Sequence, residues 1–262
     1  MQKRMETLLH PFEYHIRMLF RTLGYELSRY QTGSLGVDPF NDMQRMVLTK
    51  DPMIFDVGAN VGQSVQRFKQ YFPDATVHSF EPSASTFQIL LENVAHLDDV
   101  FPNNTGLGSR KQTAIFFENS SHDMSSFLQP DRDGWGTVVS QRELTLTTLD
   151  EYCASKQIGH IDILKSDTQG FDLEVLNGAR KMLEGNRIHI IYLEIIFSRM
   201  YANIPTFDTL YKFLAERNFE LVTFYRFHYQ NGLAGSTDAL FVNRRAKIGE
   251  ISDAEFVSGP ST

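Results

Sequence analysis

The sequence is poor in the residues that would announce a special class of protein. Its 262 residues include one cysteine, Cys153, so no disulfide can form within the chain, and a reducing cytoplasm is the expected compartment. Cys153 itself lies in Leu149 to Gln157, a stretch that reads as helix, and is expected to be a small packed side chain. There is no excess of positive charge: 25 Lys and Arg face 32 Asp and Glu, a net charge of −7. That balance argues against a nucleic-acid partner held by counterion release. No run reaches the ~18 apolar residues of a membrane-spanning helix. The basic start, Met1-Gln2-Lys3-Arg4, is followed by Glu6, His10, Glu13, His15 and Arg17, which break up any apolar stretch of a signal peptide. No H-x-x-x-H, H-E-x-x-H or cysteine pair is present, so a structural zinc site has little support. A magnesium ion held by acidic side chains at a sheet edge stays open. There is no internal repeat and no low-complexity tract.

What is present is ordinary globular composition, 42% hydrophobic, 22% charged and 12% aromatic, in a chain long enough to bury its own core. Residues 1–36 form an N-terminal extension. Within it Met5, Leu8, Leu9, Phe12, Ile16, Leu19, Phe20 and Leu23 recur at three- and four-residue spacing, the pattern of an apolar helical stripe. The stripe packs on its own domain, forms a homodimer contact or, less in keeping with its mixed charge, lies on a membrane surface. Gln31 to Val37 is a linker, 37–245 the main body and 246–262 a loose tail.

In the body, β-rich runs alternate with helical patterns, the form of a parallel sheet covered on both faces. Strands are expected at Met53 to Val57, Ala75 to Phe80, Val100 to Asn104, Ile161 to Ser166 and Arg187 to Ile195. Helices are expected at Gly62 to Phe72, Ser83 to His96, Leu149 to Gln157, Phe171 to Leu183 and Thr206 to Arg217. Thr113 to Glu118 and Glu143 to Thr147 read as extra strand pieces around a polar loop, Asn119 to Gly136. Glu220 to His228 and Asp238 to Val242, joined through Asn231-Gly232 and Gly235, read as a terminal hairpin. The expected fold is therefore α/β: a seven-stranded, mostly parallel sheet with an antiparallel last strand and helices on both faces.

Two segments carry chemistry. In Ile54-Phe55-Asp56-Val57-Gly58-Ala59-Asn60-Val61-Gly62-Gln63-Ser64 a buried strand runs through a glycine turn into a helix start, where a ligand can approach the backbone and the first helix amides meet an anionic group. The glycines are four apart, with Asn60 between them, so this is not the dinucleotide fingerprint. Asp56, two residues before the first glycine, favours a ligand with an amine. In Val77-His78-Ser79-Phe80-Glu81-Pro82-Ser83 the second strand ends in Glu81, nineteen residues after Gly62. A carboxylate there accepts both hydroxyls of an adenosine ribose, and Pro82 stops the strand. Taken alone, Glu81 would also serve as a helix-capping acid beside Ser83.

These segments, with Leu164-Lys165-Ser166-Asp167-Thr168-Gln169-Gly170, Val175-Leu176-Asn177-Gly178-Ala179 and Asp238-Ala239-Leu240-Phe241-Val242, resemble the FkbM-type S-adenosylmethionine-dependent methyltransferases, of the class I methyltransferase fold. The resemblance covers roughly Met53 to Arg244. It implies that Gly58, Ala59, Asn60, Gly62, Gln63 and Ser64 wrap the methionine part of S-adenosyl-L-methionine, with S-adenosyl-L-homocysteine as the product. It further implies Asp56 near the ammonium and Glu81, followed by Pro82, at the ribose. Weaker echoes are Asn104-Thr105-Gly106-Leu107-Gly108, putting Gly106 and Leu107 on the adenine side, and Ser125-Ser126-Phe127-Leu128 as a pocket loop. Where many relatives read Asp-x-Glu-Gly, this chain reads Asp167-Thr168-Gln169-Gly170, so position 169 offers no carboxylate.

Parallel strands ending at Asp167 and Glu194, and a reversed strand beginning at Asp238, send three carboxylates toward the edge of the glycine turn. Asp167, also counted with the cofactor residues, ranks first as catalytic base, with Glu194, Asp238 and His228 behind it. Each has a plainer reading: Asp167 caps the helix near Phe171, Glu194 pairs with Arg199 or Lys165, and Asp238 closes a turn. Tyr192, Phe197, Tyr201, Phe224, Tyr225, Phe227 and Tyr229 wall a substrate cleft or fill the core, and Trp135, between two glycines, is a lid candidate or a surface staple. The resulting expectation is O-methylation of a hydroxyl on a glycan or small-molecule acceptor, an acceptor class taken from the resemblance. A nicotinamide-dependent oxidoreductase and a cofactor-binding scaffold without catalysis are the alternatives.

Overall fold

The computed structural model describes residues 14–25, 35–247 and 249. The stripe residues Met5, Leu8, Leu9 and Phe12, and all but a few residues of the expected 246–262 tail, lie outside them. Residues 14–22 are helical and expose Tyr14, Met18 and Leu19, and Leu23 in the turn that follows is exposed as well. Leu35–Ile251 forms a compact unit by itself. Among the described residues no helix is long and apolar enough to cross a membrane.

The unit is built on strands β1 (Met53–Val57), β2 (Thr76–Phe80), β3 (Val100–Asn103), β7 (Ile161–Ser166), β8 (Ile188–Ile196), β9 (Phe219–Phe224), β10 (His228–Gln230) and β11 (Leu233–Asn243). They make one sheet in the order β10-β11-β8-β7-β1-β2-β3, with β9 also paired to β11. β3, β2, β1, β7 and β8 are parallel. β11 runs antiparallel to both β8 and β9, which gives the expected reversed last strand. The short β10 is added to it as an eighth strand through a turn at Asn231 and Gly232, both at positive φ. The stretch read as one strand from Glu220 to His228 is thus two pieces, β9 and β10, separated by residues 225–227.

Strand alternation sorts the core into two layers. On one face Ile54, Val77, Ile163, Ile190 and Leu240 meet helices α1 (Pro39–Met46), α2 (Gln63–Tyr71) and α3 (Ala84–Val94) through Phe40, Val65, Phe68 and Leu90. On the other, Phe55, Phe80, Leu164, Ile191 and Phe241 meet α4 (Leu149–Lys156), α5 (Asp172–Asn177), α6 (Arg180–Glu184) and α7 (Phe207–Ala215) through Tyr152, Leu176, Leu183 and Leu210. Both layers are closed by apolar residues at helical spacing, the arrangement that buries a parallel sheet on both sides.

The helix expected from Phe171 to Leu183 is broken into α5 and α6 at Gly178 and Ala179. A Cβ at Gly178 would lie 2.1 Å from the Gly108 carbonyl oxygen, so close backbone approach, invisible to periodicity, ends the first helix. β4 (Gly106–Leu107), β5 (Gln112–Asn119) and β6 (Val138–Thr147) form a separate three-stranded sheet in the order β4-β6-β5. Between β5 and β6 runs the polar loop, carrying a 3₁₀ turn at His122–Met124.

Candidate active site

The parallel strands β1, β2 and β7 all end at one cleft. Val57, Gly58, Ala59, Asn60, Gln63, Ser64, Phe80, Glu81, Pro82, Gly106, Leu107, Lys165 and Asp167 line it. The turn after β1 can form only with glycine at its head. Gly58 sits at φ 78°, and a Cβ there would lie 1.9 Å from the Asp167 carbonyl oxygen. The Gly58 and Ala59 amides both donate to the Phe80 carbonyl at 3.0 Å, locking this turn to the end of β2. Gly62, at φ 92°, is the N-cap of α2 and supplies no side chain to its first amides. Gly62 turns the chain but does not line the cleft; it packs toward Leu90 and Val94 of α3.

Asp56 is a correction. Its carboxylate is fully buried and outside the cleft, where it accepts from Ser64 Oγ at 2.5 Å and pairs with Lys165 Nζ at 2.9 Å. Alternation explains this: Asp56 shares a face with Ile54 and points at α2 instead of outward. Lys165, expected only as a possible partner of Glu194, lines the cleft and was not read as a site residue from the sequence. Burial would lower its pKa, but Asp56 and Asp167, the latter 3.6 Å away, more than offset that and hold it above the usual lysine value. The signal was available, since Lys165 is the one cation in the wholly buried strand Ile161–Ser166, and a buried cation requires a paired anion.

Glu81 has no such partner. It is buried, and its carboxylate accepts only backbone amides, Ser83 N at 2.8 Å and Asn60 N at 3.1 Å. Burial pushes its pKa up to about 7, against the lowering effect of those two hydrogen bonds. Nearby, Asn60 Oδ1 and Thr168 Oγ1 are buried on the cleft lining with no hydrogen-bond partner in the protein, which suits a ligand bringing donors. Phe116, Phe127 and Phe171 face the cleft and contact one another at 4.8 and 5.2 Å between ring centroids, an apolar wall for a flat ring.

The polar loop contributes His122, Asp123 and Ser125 to the lining; Ser125, with Phe127, belongs to the expected pocket loop, whereas His122 and Asp123 were not singled out from the sequence. Trp135 does not line the cleft; it is partly exposed, and its carbonyl accepts from Asn119 Nδ2 at 3.0 Å.

Of the expected bases, Asp167 alone lines the cleft, with about 38% of its side chain exposed. Glu194 and Asp238 are cross-strand partners on β8 and β11 and lie behind it. Gln169 Nε2 bridges Asp167 Oδ1 at 3.1 Å and Glu194 Oε2 at 2.9 Å. Asp238 accepts from Tyr192 OH at 2.7 Å. Burial, together with the charges of Asp167, Asp172 and Asp238, raises Glu194 well above the usual carboxylate range; burial also raises Asp238, partly offset by the Tyr192 hydroxyl. His228 is exposed on β10 and outside the cleft, so its direct part in proton transfer is not supported by its position. Tyr192, Tyr201 and Tyr225 are core residues, whereas Phe197 and Tyr229 are exposed. No cluster of three or more metal-binding side chains occurs among the described residues.

Comparison with known proteins adds a second line of observation. The model of the methyltransferase FkbM domain matches residues 56–221, more than half of the chain. A 2-O-methyltransferase, NoeI, of Sinorhizobium fredii is 26% identical over 191 residues, covering 62% of this chain and 75% of its own. A hexuronic acid methyltransferase, AglP, of Haloferax volcanii is 29% identical over 161 residues, covering 59% of this chain and 61% of its own. Among solved structures, a methyltransferase FkbM from Methylobacillus flagellatus superposes with a TM-score of 0.51 at 13% identity, over 75% of this chain and 44% of that one. At that identity the superposition bears on the fold alone.

Proposed function

From the membership of this chain in the FkbM methyltransferase family, we propose that it transfers the methyl group of S-adenosyl-L-methionine to a hydroxyl of a sugar unit or related small molecule. The observation that carries the reading is Glu81: a buried carboxylate with no cation beside it, on the floor of a cleft it shares with the Gly58 turn. Two hydroxyls of a ribose would complete its hydrogen bonding. The sugar acceptor rests on the names of two relatives, a 2-O-methyltransferase and a hexuronic acid methyltransferase. The family match and the four-residue glycine spacing weigh against a nicotinamide cofactor. The free, buried thiol of Cys153 fits a reducing compartment, and a homodimer through the N-terminal helix stays part of the proposal.

The residues present fit the cofactor. The first amides of α2, at Gln63 and Ser64, suit a carboxylate; Asn60 Oδ1 and Thr168 Oγ1 suit an ammonium; the Phe116, Phe127 and Phe171 wall, with Gly106 and Leu107, suits an adenine. S-adenosyl-L-methionine supplies an electrophilic methyl on a sulfonium. The chain's task is chiefly alignment, which is worth roughly 7–11 kcal/mol in well-oriented reactions, whereas a general base adds ~10²–10⁴ in rate. Asp167, half-exposed in the cleft, is the group that receives a hydroxyl proton.

Calorimetry tests the reading: wild type binds S-adenosyl-L-homocysteine at micromolar levels, Glu81→Ala does not, and tritiated methyl groups pass to hexose or hexuronic glycosides. Absence of heat with wild-type protein would end it.

A further inference from the structure

The surroundings of Gln169 hold its side chain in one arrangement. Its backbone is left-handed, φ 54°, followed by Gly170 at 86°. Ser126 Oγ donates to its carbonyl oxygen at 2.9 Å, tying the backbone to the loop between β5 and β6. At the side chain, Oε1 lies 2.9 Å from Tyr201 OH, whose single hydrogen it shares with the Met124 carbonyl at 3.1 Å, and Nε2 gives its two hydrogens to Asp167 and Glu194. The two carboxylates on one side fix which way the amide points. Both hydrogens of Nε2 are thereby occupied.

We infer that Gln169 is a positioning residue that joins Asp167 and Glu194 into one proton-accepting unit, in which Asp167 touches the acceptor hydroxyl and Glu194 never does. The inference rests on the proposed methyl transfer for its meaning but not for its test. In that transfer the acceptor oxygen forms a bond to the methyl carbon as the carbon–sulfur bond breaks, sulfur keeps the electron pair, and the hydroxyl proton goes to a carboxylate oxygen of Asp167. An amide at 169 gives the pair two hydrogen bonds that favour its ionised form, where a carboxylate would add a third negative charge. Other ionisable groups packed around the pair are Lys165 of β7, Asp172 of α5, Tyr192 of β8, Tyr201, Asp238 of β11 and Asp123 of the loop. Only Lys165 among them is cationic. Lys165 lies nearer to Asp56, at 2.9 Å, than to Asp167, at 3.6 Å.

The test is a carbon-13 carboxyl NMR titration of the ligand-free full chain labelled at Asp Cγ and Glu Cδ, with the two signals assigned by Asp167→Asn and Glu194→Gln. In Gln169→Glu both midpoints rise, by about one pH unit for an added like charge at contact. In Tyr201→Phe, which frees the amide to turn, they move in the same direction by less; this variant keeps the test open if the first does not fold. Midpoints in both variants that match wild type would overturn the inference. A wild type that binds no S-adenosyl-L-homocysteine would instead sink the assigned reaction and leave the titration result standing.

Discussion

The tips of β1 and β2 lie side by side, with Asp56 in register with Ser79 two residues before Glu81, and each brings a buried carboxylate. Asp56 has a cation at 2.9 Å and a hydroxyl at 2.5 Å; Glu81 has two amides and no cation. One charge is settled within the protein and the other is left for something the protein does not contain. Proximity of an acid to a glycine turn is thus a poor guide to ligand contact. The partner already present is a better one.

Three experiments would break or sharpen this contrast. The largest effect is expected on stability at the β1 side: Lys165→Met strands Asp56 in the core and should cost about 3–5 kcal/mol, as loss of one partner of a buried pair does. The double variant Asp56→Asn, Lys165→Met should recover most of it in urea unfolding, and a single variant as stable as wild type would show Asp56 to be neutral already. Next, on the β2 side, Glu81→Gln should leave stability near wild type yet weaken S-adenosyl-L-homocysteine about 10- to 100-fold, the range of a lost charge-assisted hydrogen bond pair. The smallest effect is on pH. Ribose hydroxyls donate to the ionised carboxylate, so with Glu81 at about 7 affinity is level above that pH and falls below it, about tenfold weaker at pH 6 than at pH 8. Glu81→Gln should flatten that dependence. For the unliganded protein the sign reverses: a raised carboxyl pKa favours the folded state at low pH, and that contribution fades as pH climbs through 7.

Much of the architecture was legible because it is written in local periodicity. Alternating runs such as Met53–Val57 and Thr76–Phe80, followed by helical patterns, required a covered parallel sheet, and Gly58 and Glu81 stand at strand ends where only short-range pattern is needed to find them. What escaped depends on contacts distant in sequence. The break at Gly178 comes from the Gly108 carbonyl, seventy residues away, and the burial of Asp56 depends on Lys165, more than a hundred residues on. His122 and Asp123 reach the cleft because a loop between two strands of the small sheet folds over it, and nothing in their composition sets them apart. Glu194 and Asp238 were correctly brought to the same end of the sheet, but strand geometry could not tell a residue facing the cleft from one standing behind it.

The absence of a side chain at Gly58 has a mechanical meaning. With a methyl group's worth of space denied between that turn and the Asp167 carbonyl, the two loops bear directly on each other like parts of one casting. A side chain at position 58 would have to wedge them apart before either could take its present place.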